Sequence, residues 1–336
     1  MEYKSVDVTA RGGPEVLRII EHDLRAPAAN EARIKILAAP VCAPDISARY
    51  GHSPFLPKLP FTPGYTFIGI VDAIGASVTN VALGDRVAGL TAYGAYAEYI
   101  YWPAKQLITV PEILNPAEAA PLIMNYIVAY HVMHRWAKVK AGDKVLIIGA
   151  SGGIGTAFLQ LGKLANLKMY GIASKSKHPI LKEYGATPID YRSQDFVEAI
   201  RQMEPEGLDA IFDGMAGDYF KRGFSVLRRG GTLVGYGNPT SFSGMIQVLG
   251  WTVLYNLLPN GRSAKYYSTG VSRLNWNIFL EDWAKLFGML EEGQIKPVIA
   301  AKFPILEAAK ANELLESGQV IGNIVLVAPE WLDESS

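Results

Sequence analysis

Cys42 is the only cysteine in 336 residues, so neither an internal disulfide nor a four-cysteine zinc lobe can be built from this chain. Net charge is just as scarce. The 32 Lys+Arg balance 32 Asp+Glu, which argues against a polyanion, nucleic acid above all, as the main partner. No apolar run can span a bilayer, since the longest, at 245–258, is interrupted by Gln247, Gly250 and Asn256. Residues 1–15 lack the apolar core of a signal peptide. Repeats of 20 to 50 residues and low-complexity tracts are missing too. These absences lead to the expectation of a compact, cytoplasmic protein. What is present supports it: 49% hydrophobic and 19% charged residues furnish a large core, and the length suits two domains at about 150 residues each.

Short alternating runs punctuated by Gly and Pro (ARIKILAA, GIVDAIG, DRVAGL, AEYIYW) fill the first third, the pattern of a β-rich domain with tight turns. Prolines 54, 57, 60 and 63 stiffen one loop within it. From Pro116 the periodicity becomes helical, with a polar break near Asn125. Beyond Lys144 apolar strands alternate with amphipathic helices, which predicts a parallel, doubly wound sheet. The reading divides the chain into a β-rich domain at 1–121, a dinucleotide-binding domain at 122–265, and a return to the first domain at 266–336. The segment 242–271 is apolar and uncharged in its first half, and suits a pocket wall, a dimer interface or a structural hairpin.

The most informative segment is KVLIIGASGGIG, where a strand enters a glycine-rich turn that opens a helix. On the GxGxxG template the three positions are Ala150, Gly152 and Gly155, so this is a variant fingerprint. Ala150, Ser151, Gly152, Gly153, Ile154 and Gly155 form the candidate pyrophosphate turn, with backbone N–H groups and the helix dipole facing the negative charge. The next strand ends without the acid that binds an NAD ribose. It ends instead in Ser174, Lys175, Ser176 and Lys177, which favours a 2′-phosphate and hence NADPH. His131 and His134 have no acidic or cysteine partner nearby in sequence, and a helix-surface or interface role is expected for them.

Ordered landmarks extend over nearly the whole chain: GGPEVL at 12–17, TPGYTFIGIV at 62–71, GDRVAGL at 84–90, GAYAEY at 94–99, AEAAPLIMNYIVAY, the GASGGIG turn, IDYR at 189–192, LDAIFDGMAGD, RRGGTLVGYG and GNIVL at 322–326. With them the chain resembles the medium-chain dehydrogenase/reductase superfamily in its zinc-independent, zeta-crystallin-like quinone oxidoreductase branch. The resemblance implies an α/β fold, with a GroES-like β-rich catalytic domain, a doubly wound parallel-sheet Rossmann domain, a cofactor in the cleft between them, and commonly a homodimer. It places Tyr191 near the adenosine phosphate, and Gly235, Tyr236, Gly237, Asn323 and Asn125 on the nicotinamide side. Zinc-dependent cousins hold their metal on a Cys with an Asp three positions on, and on a His-Glu pair after Pro-Gly. Cys42 and Asp45 keep the first element, but Tyr65 and Thr66 replace the second.

Without zinc, hydride from NADPH suits an activated acceptor, a quinone or an α,β-unsaturated carbonyl, and a hydrophobic small molecule is the expected partner. Tyr65, Tyr50 and His52 are the candidate proton donors, and Cys42 is a cleft-lining candidate. Cys42 stands where the branch usually has Asn, and Val128 where it usually has Thr. The alternative is an NADPH-binding redox-sensing or interaction protein with little turnover.

Overall fold

Residues 31–36 alternate between Ala32, Ile34 and Ile36, which are buried, and Glu31, Arg33 and Lys35, which face outward, before the strand becomes buried on both faces. That period of two is the half-buried strand pattern. The computed structural model describes residues 1–52, 56–237, 241–272 and 274–332; Pro54 of the proline-spaced loop lies outside them. In chain order the first unit builds β1 (Glu2–Val8), β2 (Leu17–Asp23), β3 (Glu31–Val41), α1 (Ala43–Tyr50), β4 (Thr66–Ile74), β5 (Arg86–Leu90), β6 (Tyr99–Pro103), β7 (Ile108–Thr109) and α2 (Pro116–Pro121).

The second unit follows with α3 (Ile127–Tyr130), β8 (Lys144–Ile148), α4 (Gly153–Leu164), β9 (Lys168–Ala173), α5 (His178–Glu183), β10 (Thr187–Asp190), α6 (Phe196–Met203), β11 (Leu208–Asp213), α7 (Asp218–Ser225), β12 (Leu227–Gly235), α8 (Phe242–Leu257), β13 (Ser263–Tyr266) and α9 (Thr269–Ser272). After α10 (Trp276–Glu291) the chain completes the first unit with β14 (Ile299–Pro304), α11 (Ala308–Glu316) and β15 (Asn323–Val327). Unit one comprises Met1–Met124 and Trp283–Ser336, and unit two Asn125–Asp282. Residues 266–282 thus belong to the second unit.

Unit one carries a seven-stranded sheet in the order β14-β15-β3-β4-β5-β7, with β6 also on β3. Its pairings are antiparallel apart from β14 with β15. Unit two carries six strands in the order β10-β9-β8-β11-β12-β13, all parallel. Numbered within the unit this is 3-2-1-4-5-6, the order of a two-half dinucleotide fold, whose ligand crevice opens at the carboxyl ends where the winding reverses. Val145, Leu146, Ile147 and Ile148 of β8 are fully buried, as a central strand covered on both faces must be.

Three local expectations are corrected. The stretch after α2 is not one α-helix with a break, because Leu122–Tyr126 and His131–Ala137 are π-helical on either side of α3. The hairpin reading of 242–271 fails, since sixteen of these residues form α8 ahead of β13. His131 is not on a surface. It is buried, with Nδ1 3.1 Å from the Tyr267 hydroxyl and Nε2 3.1 Å from Asp282. Burial pushes its pKa down to about 4 despite that carboxylate.

Candidate functional site

Most of the cofactor residues marked in the sequence lie along one edge of unit two. Where β8 ends, Gly149 takes φ +83°, the left-handed turn that the first glycine of a fingerprint usually supplies. Ala150 can therefore be alanine: it is fully buried, and its N–H bonds Ile172 O at 3.1 Å. A Cβ on Gly155 would meet Gly149 O at 2.3 Å, so this position admits only the closest helix–turn packing. A Cβ on Gly152 would meet nothing nearer than 3.8 Å. That open side, ahead of the twelve-residue α4, leaves room for a pyrophosphate against the helix N-terminus. Ser151 is buried, while Gly153 and Ile154 are half-exposed in the first turn.

Beyond β9, Ser174 is buried, Lys175 exposed and Lys177 half-buried. Burial and then the charge of Arg192 depress the Lys177 pKa, so two cations converge at the ends of neighbouring strands. Arg192 lies over the Tyr191 ring, 5.6 Å from its centroid. Asp190 shapes that turn by accepting from Arg192 N at 3.1 Å and Ser193 Oγ at 3.0 Å. The signal for Arg192 in the sequence is a cation two residues after the strand ending in Asp190.

At the end of β12, Gly235 and Gly237 are buried and Tyr236 half-buried, with its ring 5.3 Å from Phe158 of α4. Asn125 is buried within the first π-helical stretch. The next residue, Tyr126, donates its hydroxyl to Gln160 Oε1 at 3.0 Å, and Gln160 in turn donates to Tyr184. π-Helical insertions are frequent at functional sites, and this one is anchored to the helix of the glycine turn. The carboxyl-edge residue that the sequence reading passed over is Asp213. It is fully buried, and its only signal was an acid closing an apolar strand.

Unit one holds the other candidates. Cys42 caps α1 in a capping box, where Asp45 Oδ2 accepts from Cys42 N at 2.9 Å. Asp45 also accepts from Gly64 N at 3.0 Å and the Tyr96 hydroxyl at 3.1 Å. Burial lifts Asp45 to about 7 against these bonds. Burial, and then Asp45, push the Cys42 thiol well up. Tyr65 follows Gly64 in this fixed segment, with its carbonyl accepting from Thr91 N and Ala92 N. Tyr50 and His52 stack on each other with centroids 5.9 Å apart. They sit at the opposite end of α1, about 12 Å along its axis from Cys42, so Tyr65 and this pair are separate sites. Asn323 is buried at the start of β15, its amide donating to Val298 O at 3.0 Å.

Residues 28–112 match the alcohol dehydrogenase GroES-like domain, and 184–326 the model described as zinc-binding dehydrogenase. The human synaptic vesicle membrane protein VAT-1 homolog is 32% identical over 314 residues, covering 90% of this chain and 80% of that one. A quinone oxidoreductase from Pongo abelii is 30% identical over 334 residues, covering 96% and 97%. The chain is a medium-chain dehydrogenase/reductase of the zinc-independent quinone oxidoreductase branch. Among solved structures, the Escherichia coli quinone oxidoreductase complexed with NADPH superposes with a TM-score of 0.87 at 26% identity, over 96% of this chain and 99% of that one. The human VAT-1 homolog-like protein superposes with a TM-score of 0.83 at 27% identity, over 98% and 99%.

The name of the second family model implies zinc, and the residues of this medium-chain dehydrogenase/reductase do not fit it. Both Asp45 oxygens are engaged by donors of this chain, and Tyr65 and Thr66 follow Pro63 and Gly64 where the resemblance implies a His-Glu pair in the zinc-dependent cousins. Among the described residues no three His, Cys, Asp or Glu side chains converge. A nicotinamide dinucleotide does fit, on the glycine turn that a Cβ would fill and on the paired cations beyond β9 and β10. No helix among the described residues is long and apolar enough to cross a membrane.

Proposed function

We propose that this oxidoreductase uses NADPH to reduce a hydrophobic quinone or α,β-unsaturated carbonyl. The observation that carries the reading is the convergence of Lys177 and Arg192 where an NAD enzyme has an acid. Lys177, Arg192, Ser174, Lys175 and Tyr191 hold the 2′-phosphate, and residues 150–155 the pyrophosphate. The resemblance assigns Asn125, Gly235, Tyr236, Gly237 and Asn323 to the nicotinamide side. When bound, the cofactor supplies a hydride. Tyr65, fixed through its backbone, donates the proton that neutralises the reduced acceptor; Cys42 lines the same region as an inert thiol, and Tyr50 and His52 remain the second donor pair. The NADPH-complexed and quinone oxidoreductase relatives support this choice of cofactor and acceptor.

The test is NADPH and NADH oxidation with 1,4-benzoquinone, 9,10-phenanthrenequinone, a long-chain enal and a cyclic enone, beside a fluorescence titration of each cofactor. Turnover with NADPH preferred supports the reading. Tight NADPH binding without turnover of any acceptor transfers the weight to a redox-sensing binding protein. Tyr65→Phe separates the donors: it slows reduction and leaves NADPH affinity unchanged.

We infer a homodimer from α8. Phe242, Ile246, Leu249, Val253 and Leu257 form one outward stripe, exposed by 49–75%, on a helix without a charged residue. The stripe is contiguous, unlike singly scattered apolar residues, and a contiguous apolar patch of this kind is characteristic of an interaction face. Among the described residues β13 pairs with β12 alone, so a second copy can meet both features. Light scattering on Val253→Glu, expected to be monomeric, tests this.

A further inference from the structure

Asp213 ends β11 between the two segments assigned to the cofactor. It is in register with Ile148, just before the glycine turn, and with Gly235. Its carbonyl accepts from Tyr236 N at 2.8 Å and Gly237 N at 3.3 Å. Its Oδ1 accepts from Met215 N at 2.8 Å and Ala216 N at 3.0 Å. The loop so held is strained, with Ala216 at φ +58°, a left-handed conformation that costs a residue bearing a Cβ. The loop is also packed without slack. A Cβ on Gly214 would meet the Tyr236 hydroxyl at 2.7 Å, and one on Gly237 would meet Gly214 O at 2.4 Å. Met215 is 61% exposed, and its sulfur lies 3.9 Å from where a Cβ on Gly149 would stand.

The second carboxylate oxygen, Oδ2, is buried and has no hydrogen-bond partner among the described residues. A serine or asparagine would cap the loop equally well without burying an uncompensated charge. No charged side chain among the described residues shifts Asp213; its titratable neighbours are the phenols Tyr236 and Tyr266, both pushed up by burial and then by Asp213 itself. In a 3-2-1-4-5-6 sheet the second mononucleotide half, here the nicotinamide half, lies over the carboxyl ends of β11, β12 and β13. We infer that Asp213 is an electrostatic positioning residue, whose unpaired buried charge favours the oxidised, cationic nicotinamide over the neutral reduced ring and so promotes hydride donation.

The inference rests on the cofactor reading above, and one experiment separates their failures. Dissociation constants of NADP⁺ and NADPH are measured by calorimetry for the wild type and Asp213→Asn between pH 5 and 8. Both forms carry the same 2′-phosphate, so its titration cancels in their ratio. Asparagine keeps the Oδ1 cap and removes only the charge. The variant is expected to raise the NADP⁺/NADPH dissociation ratio about tenfold at pH 8 and to make it independent of pH. The wild-type ratio is expected to rise by a similar factor from pH 8 to pH 5, as burial sets this carboxyl to titrate near 6. The wild-type series stands by itself if the variant fails to fold. A flat wild-type ratio, or a variant ratio equal to the wild type, overturns the role of Asp213 and leaves the cofactor reading intact. Failure of the wild type to bind either form overturns both.

Discussion

Two buried carboxylates sit at opposite ends of one parallel sheet, and they are treated in opposite ways. At the amino edge Glu204 receives Lys144 at 2.5 Å, Lys168 at 2.6 Å and the Tyr170 hydroxyl at 2.5 Å. Burial works to raise its pKa, but these donors override burial and hold it at about 2. At the carboxyl edge Asp213 has two backbone donors on one oxygen and, among the described residues, none on the other, and burial lifts it to about 6. The first arrangement serves stability. The second tolerates a loss of stability where a ligand is expected, the division of labour general to parallel sheets.

The contrast can be broken or sharpened by four substitutions, from the largest expected effect to the smallest. Gly155→Ala is at the carboxyl edge yet should damage both properties, because its Cβ enters the space of Gly149 O; a loss of about 3 kcal/mol in urea unfolding is expected together with loss of cofactor binding. Lys177→Glu should weaken NADPH about fiftyfold, leave NADH unchanged and leave the melting temperature within a degree or so. An unchanged cofactor preference would remove the 2′-phosphate assignment. Glu204→Gln should cost about 2 kcal/mol at pH 7 without altering cofactor affinity. Because the folded pKa is depressed, this contribution is fully present above the ordinary carboxylate range and is lost as pH falls through about 2; urea midpoints from pH 7 to pH 2.5 should narrow the gap between variant and wild type without closing it. Asp213→Asn carries the opposite sign. A raised folded pKa penalises the fold fully above about 6 and not below the ordinary value, so the variant should gain about 1 kcal/mol at pH 7.5, a rise of a few degrees in Tm, and nothing in acid. A fall in Tm would show that Oδ2 has a stabilising partner.

How much of this was legible in the sequence differs residue by residue. The strand, turn and helix at 144–164 were readable because a buried strand, a glycine turn and a helical period are each local patterns. Ala150 looked like a defect on the template only because the left-handed position had moved to Gly149. The acid at 213 was visible, but its orphan oxygen was not, since burial and missing donors are set by β12 and the 214–217 loop folding around it. The burial of His131 is not legible in the sequence because its partners, Tyr267 and Asp282, come from distant segments. In α8, Gly250, Thr252 and Val253 lower helix propensity and masked a helix that tertiary packing of Trp251 and Tyr255 stabilises.

The lone thiol has a practical consequence. Cys42 is buried at the head of α1, its reactive thiolate form disfavoured by burial and by Asp45, so alkylating reagents should reach it only when that end of the first unit opens. The rate at which such a reagent marks the native chain therefore measures that opening directly, with no engineered probe. Equally, a single cysteine introduced anywhere on the surface could carry a fluorophore or a spin label without competing background.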